Sequence, residues 1–137
     1  MAANTSPIFT LRPDIQWAIS ATTANTTKTL EAGTNFICFS AGTNGSFVQR
    51  IRFRPLGTNV ASVARVWINN GLTTGTAVNN TLWDEISLPA TTVTEVAAQS
   101  NYELPLNFAL PPNYAIYITL GTAVAAGWDA IVVGGDY

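Results

Sequence analysis

The residues able to do chemistry in this 137-residue chain are few: eight carboxylates, five arginines, one lysine, one cysteine and no histidine. Without histidine, Ser-His-Asp and Cys-His nucleophilic sites are excluded, and the usual zinc sites with them. Lys28, the single amine side chain, stands in the polar stretch Thr26-Thr27-Lys28-Thr29 and reads as solvated rather than as a Schiff-base former. Asp84 and Glu85 are adjacent on an expected strand, so they point to opposite faces and cannot converge as a glycosidase pair. Asp14, Glu31, Glu95, Glu103, Asp129 and Asp136 are scattered, mostly at expected strand ends or loops. No run of Asp and Asn has calcium-loop spacing. Gly42-Thr43-Asn44-Gly45-Ser46 joins two strands instead of opening a helix, so it reads as a turn and not as a phosphate cradle. Cys38 is alone inside the apolar run Phe36-Ile37-Cys38-Phe39, which excludes an intrachain disulfide and predicts an inert core thiol. These residue types predict a protein that is not an enzyme and holds neither metal nor cofactor, and whose business is binding or assembly.

One cluster does stand out. Arg50, Arg52 and Arg54 alternate along a run whose other parity carries Phe47, Ile51 and Phe53, and Arg65 and Trp67 follow in the next apolar stretch. If Ala64, Val66 and Ile68 join Ile51 and Phe53 in the core, pairing the two runs sets Arg65 and Trp67 beside the three arginines on an outer face. Such a stripe reads either as a solvated face or as a protein interface. Five arginines to one lysine favour the interface, because the planar guanidinium pairs bidentately with carboxylates and stacks on aromatic rings. Acids of a neighbouring subunit would then meet this face. Trp17, Trp67, Trp83 and Trp128 offer a rival use, since exposed aromatics on a β-sandwich bind sugars by stacking. Period-two placement predicts Trp17 and Trp128 as core residues instead.

Composition points the same way as the arginines. The chain is 47% hydrophobic and 10% charged, against about 25% charged in an ordinary soluble domain, so neutral Thr, Asn, Ser and Ala must cover its surface. A charge-poor surface is tolerated when an interface hides it, which predicts a homo-oligomer or a larger assembly. A net charge of −2 argues against nucleic acid as a partner. The start, Met1 to Ser6, lacks the basic and apolar regions of a secretory signal, so synthesis in the cytoplasm is expected. The longest low-polarity stretch, 114–128, is interrupted by Thr119, Gly121, Thr122 and Gly127 and is shorter than a spanning helix, so no membrane partner is expected.

The elements that must position these residues are strands. Apolar stretches are short, alternate with period two and are bounded by Gly, Asn, Thr or Pro. Ile15, Trp17 and Ile19 mark the first strand, Phe36 to Phe39 the second, and Phe47 to Arg54 the third. Further strands are expected at 60–69, 81–88, 102–108, 114–120 and 128–133. Turns are expected where Gly-Thr-Asn occurs, at Gly33, Gly42 and Gly57, and at Asn44-Gly45 and Asn70-Gly71, pairs that favour positive φ. One helix is possible over 92–99, where Thr92 and Glu95 have capping-box spacing, although the Thr and Val content opposes it. The fold class expected is all-β: a jelly roll or two-sheet antiparallel β-sandwich of about eight strands. Residues 14–137 form that single domain, and residues 1–13, polar and containing Pro7 and Pro13, form an extended N-terminal arm.

Several of these motifs resemble a known family. Val48-Gln49-Arg50-Ile51-Arg52-Phe53-Arg54 and Arg65-Val66-Trp67-Ile68-Asn69-Asn70-Gly71 look like segments of small all-β proteins found among tailed-bacteriophage structural proteins. Glu85-Ile86-Ser87-Leu88-Pro89, Leu110-Pro111-Pro112-Asn113-Tyr114, the run Gly121 to Trp128 and the ending Gly134-Gly135-Asp136-Tyr137 follow in the matching order. The resemblance spans roughly 30–137 and omits the arm. It implies a virion component, foremost a head decoration or cement protein: a jelly roll, usually trimeric, that sits on the capsid surface and clamps neighbouring subunits of the major capsid protein. A tail or baseplate accessory is the alternative within that setting, and a carbohydrate-binding module the alternative outside it. The implied place of synthesis is the bacterial host cytoplasm. The arm, through Ser6, Pro7, Ile8, Phe9, Leu11 and Arg12, would contact the capsid. The family offers no active-site residue to carry over.

Overall fold

A half-apolar strand cannot satisfy its backbone or hide its apolar face alone, so eight such strands must pair and then stack. The computed structural model describes residues 10–137. It holds β1 (Arg12–Ala21), β2 (Phe36–Ser40), β3 (Ser46–Pro55), β4 (Ser62–Asn69), β5 (Asn80–Leu88), β6 (Tyr102–Leu110), β7 (Ala115–Leu120) and β8 (Trp128–Asp136). A single 3-10 turn, Ala77–Asn79, precedes β5. All eight expected strands are present, most with ends shifted by a few residues.

The strands form two antiparallel four-stranded sheets, ordered β1-β8-β3-β6 and β2-β7-β4-β5. β1 pairs with β8, β2 with β7, β3 with β6 and β4 with β5, as if one long antiparallel ribbon had been rolled up. The contacts β3–β8 and β4–β7 then close each sheet. This is a jelly roll. The inner faces meet in one core, in which Trp128, Phe39, Phe53, Ile51, Leu88, Ile116, Ile118, Leu120, Val48, Val66 and Val132 are fully buried. Each of these large side chains contributes about 1.5–3 kcal/mol through removal from water. Cys38 is buried among them and its Sγ donates to the Ile116 carbonyl at 3.3 Å, so burial pushes its thiol pKa up and leaves it an inert core group.

The structure corrects the sequence reading in several respects. β3 and β4 are consecutive but belong to different sheets, because 56–61 crosses over the end of the sandwich instead of making a hairpin. The inward parity of Ala64 and Val66 is as expected; the pairing is not. In β3, a register shift between Val48 and Arg50 turns Val48 into the core in place of Phe47. Gly134 of β8 passes this bulge, where an added Cβ would collide with the Phe47 carbonyl oxygen. The possible helix at 92–99 is an irregular loop: Thr94 Oγ1 accepts from Val96 N within the loop, and Thr58 Oγ1, from the 56–61 crossover, accepts from Val93 N, bonds that replace helical ones. Finally, β1 begins at Arg12, so Arg12 and Pro13 pair with Asp136 and Gly135 and do not belong to an arm. Leu11 is 80% exposed and its N–H donates to the Asp136 carbonyl. Ser6, Pro7, Ile8 and Phe9 lie outside the described residues.

Buried amides order the loops internally. Asn25 donates to the carbonyls of Thr29 and Ala32 and accepts from Thr27, folding the 22–35 loop around itself. Of the expected turn glycines, Gly33, Gly45 and Gly71 take positive φ, whereas Gly42 and Gly57 do not. At the opposite side chain hub, Asn59 Nδ2 donates to the Gly127 carbonyl at 3.0 Å, and its Oδ1 accepts from Ala126 N and Gly127 N at 2.9 Å each. Its backbone exchanges two hydrogen bonds with Thr91, so one residue ties three loops together. Asn59→Ala leaves the Ala126 and Gly127 N–H groups without an acceptor, while the Gly127 carbonyl keeps its bond from Leu56 N, and should lower the unfolding free energy by about 2 kcal/mol in urea titration. A loss below about 0.5 kcal/mol would remove Asn59 as the tie.

Candidate functional site

The arginines of β3 lie on the outer face of the β1-β8-β3-β6 sheet, in rows set by the strand register. Ile15 of β1 opposes Val133 of β8, which opposes Arg50 of β3, which opposes Pro105 of β6. The next row reads Trp17, Ile131, Arg52, Glu103. Beyond it, Arg54 opposes Asp129. One half of the face is therefore apolar and the other ionic.

On the apolar half, Ile15, Trp17 and Ile19 are 54%, 55% and 65% exposed. This reverses the expectation that Trp17 and its neighbours enter the core. β1 is an edge strand, and its inward parity is Asp14, Gln16 and Ala18. Gln16 acts there as a spare peptide group: its Nε2 donates to the Ser40 carbonyl and its Oε1 accepts from Ser40 N, both at 2.9 Å. That closure of the β1/β2 margin needs an amide facing inward, and so the large apolar side chains face water. Trp128 is fully buried, as expected.

On the ionic half, Glu103 Oε1 accepts from Arg52 Nε at 2.6 Å and lies 3.8 Å from Arg50 Nε. Arg54 donates to the Gln99 carbonyl at 2.9 Å and to Asn101 Oδ1 at 3.0 Å, both neutral acceptors. Asp129 Oδ1 accepts from Ser20 N at 3.2 Å. Of the three guanidinium groups, Arg50 and Arg52 thus share one carboxylate within ion-pair distance and Arg54 has none among the described residues. The face has unspent capacity for acids.

Arg65 and Trp67 are not part of this patch. They stand on the other sheet, on the far side of the core from Arg50, Arg52 and Arg54. Trp67 is 6% exposed and its Nε1 donates to Thr119 Oγ1 at 3.1 Å. Arg65 donates to Glu85 Oε1 at 2.8 Å and to the Asn25 carbonyl at 3.3 Å, and Lys28, expected to be solvated, has its Nζ 3.6 Å from the same Glu85 oxygen. These three residues hold the 22–35 loop against the sheet. Asp84 opposes Val66 while Glu85 opposes Arg65, so the adjacent acids do diverge as their spacing predicts. Among the described residues no group of three His, Cys, Asp or Glu side chains is placed to hold a metal ion, and no helix is long and apolar enough to cross a membrane.

Sequence reasoning missed Ile15, Ile19, Ile131, Val133 and Glu103 as members of the face. The available signal was the second parity of 14–18: Asp, Gln and Ala supply a polar group that an edge strand can turn toward its neighbouring sheet.

The ion triad on the second sheet generates a pH dependence. The hydrogen bond from Arg65, helped by Lys28, holds the Glu85 carboxyl below the usual carboxylate range. A folded-state pKa below the unfolded one contributes stability above the unfolded pKa, and that contribution is lost as pH falls through the folded pKa. Glu85→Gln should therefore lower the thermal midpoint at neutral pH, with the gap to the parent closing on acidification and shrinking in high salt. A gap that is constant across pH would assign the effect to packing instead.

No protein-family model matches the sequence, and no curated protein matches it. Among solved structures, the chain is similar to that of the Gx strain of infectious bursal disease virus, at TM-score 0.40 and 16% identity over 98% of this chain and 37% of that one. A mutant VP2 protein of the same virus in derived T=1 particles gives TM-score 0.40 and 16% identity over 99% and 36%. The Gt strain gives 0.34 and 15% over 99% and 38%. The chain thus spans a little over a third of the length of each.

Proposed function

We propose that this chain is a non-enzymatic structural subunit of a virus particle, in its most specific form a decoration or cement protein that clamps capsid subunits on a tailed-phage head. The observation that carries the reading is the outer face of the β1-β8-β3-β6 sheet. There, a half-exposed Ile15-Trp17-Ile19 stripe adjoins a three-arginine ladder with a single carboxylate in ion-pair range. Protein interfaces are enriched in Trp and Arg and depleted in Lys, and an exposed apolar patch rimmed by polar groups marks such a site.

Three further features support it. The jelly roll is an architecture used by viral coat domains. A chain only 10% charged is suited to a surface that other polypeptides cover. The motifs over 30–137 resemble phage structural proteins. In this reading the partners are further copies of the chain, as a homotrimer, and the major capsid protein. Nucleic acid and membrane have no part, and the protein resides on the virion surface after synthesis in the host cytoplasm.

The sugar-binding alternative is less well supported. Trp17 is flanked by Ile15 and Ile19 instead of the polar groups that would hold hydroxyls. Asn69, Asn70, Asn79 and Asn80, beside the hollow at Tyr114, spend their amide donors on one another and on the Thr73, Thr74 and Thr76 carbonyls.

The reading is tested by adding the purified chain to undecorated phage heads and to tails, followed by sedimentation and heat challenge. Heads should bind it and gain heat resistance. Trp17→Ser combined with Arg52→Glu should weaken that binding at least tenfold while leaving the thermal midpoint within a few degrees of the parent. Attachment to tails alone would move the role to the tail or baseplate, and attachment to neither would refute a virion role.

A further inference from the structure

The two margins of the sandwich are built differently. β1 and β2 are laced together by Gln16 and Ser40. Between β5 and β6 no hydrogen bond is found among the described residues, and the gap is spanned by Trp83 and Phe108, with ring centroids 4.7 Å apart and planes inclined at 56°. Both strands are sheet edges. This is where the fold is least finished.

A bulge shapes that margin. Trp67 opposes Leu82 and Val66 opposes Asp84, so Trp83 is the extra residue without a partner. Trp83 reaches the opposite sheet at Phe108, and Asp84 stands across from the core residue Val66, so both fall on the side of β5 that faces β6. Trp83 nevertheless remains 49% exposed. The Asp84 carboxylate accepts only from the neighbouring Glu85 N, at 2.7 Å, and no cation of the described residues comes within ion-pair distance of it.

A carboxylate lacking a cation beside a half-exposed indole is the natural receptor for a guanidinium, which pairs with the one and stacks on the other. The same chain displays the complement on the outer face of the other sheet, where Arg50 and Arg52 share Glu103 and Arg54 meets only neutral oxygens. We infer that the β5/β6 margin, centred on Trp83 and Asp84, receives the arginine face of a second copy, so that Arg52 and Arg54 of one subunit meet Asp84 and Trp83 of the next. Receptor and ligand are different surfaces of one chain, so a single contact leaves one free receptor and one free ligand, which either meet each other reciprocally about a two-fold axis or carry the contact on to a further copy and close a ring when the rotation permits. The inference rests on the reading of the arginine face as an assembly surface, and it names what that face meets.

The test is light scattering of the full chain over a concentration series, with Asp84→Arg, with Arg52→Asp and with both together. Each single variant should raise the dissociation constant of the oligomer at least tenfold, and the double variant, which restores opposite charges across the contact, should recover most of the loss. Because Asp84 is exposed, its variant should keep the parent thermal midpoint. Acrylamide quenching of tryptophan should fall as the parent assembles, and that fall should be smaller in Trp83→Phe. A parent that oligomerises with both single variants unaffected, or a double variant no better than the singles combined, overturns the contact. A parent that stays monomeric at every concentration also overturns it, while its binding to undecorated heads would leave the virion role standing.

Discussion

The constraint on which this structure depends is that two sheets must each bury one face against the other, with the ribbon of strands shared between them. Consecutive strands are therefore split wherever the ribbon rolls: β3 goes to one sheet and β4 to the other. Ile51 and Phe53 meet Ala64 and Val66 across the core and not along a ladder. The outward residues of the two strands, the three arginines on one and Arg65 with Trp67 on the other, are then driven to opposite exteriors. A patch that would exist in a hairpin cannot exist in a sandwich.

That separation assigns different work to chemically similar residues. Arg65 and Lys28 share the Glu85 carboxylate and fasten a loop. Arg50, Arg52 and Arg54 are under-supplied with acids and stand beside exposed aliphatic and aromatic side chains. Each face has one carboxylate within ion-pair distance of its cations, and what differs is that Glu85 serves one arginine that also holds the Asn25 carbonyl of a loop, whereas Glu103 stands against a ladder of three.

With so few charges and no intrachain disulfide, much of the loop structure is held by neutral polar side chains. Asn25 and Asn59 each satisfy several backbone groups from one side chain, as only an amide with both donors and acceptors can. Gln16 does the same at the β1/β2 margin, and its inward turn is what exposes Ile15, Trp17 and Ile19. The apolar stripe is thus a consequence of how the sandwich edge is closed. At the β5/β6 margin no such amide intervenes among the described residues, and an aromatic pair with a bulge takes its place.

The amino-acid sequence alone determined the class of the fold, the number and order of strands, the inert Cys38, the buried Trp128 and the divergence of Asp84 from Glu85, because each follows from period-two alternation within one short segment. It also placed Arg50, Arg52 and Arg54 on a common face, since a strand allows nothing else. Which sheet each strand joins, and so the separation of Arg65 and Trp67 from those arginines, was decided only in three dimensions, because a six-residue connection can either reverse a hairpin or cross a sandwich. The outward parity of β1, the loop in place of a helix at 92–99 and the register shifts in β3 and β5 were likewise tertiary outcomes. Each turned on which partner a backbone or amide group found across the fold, and local pattern does not encode that partner.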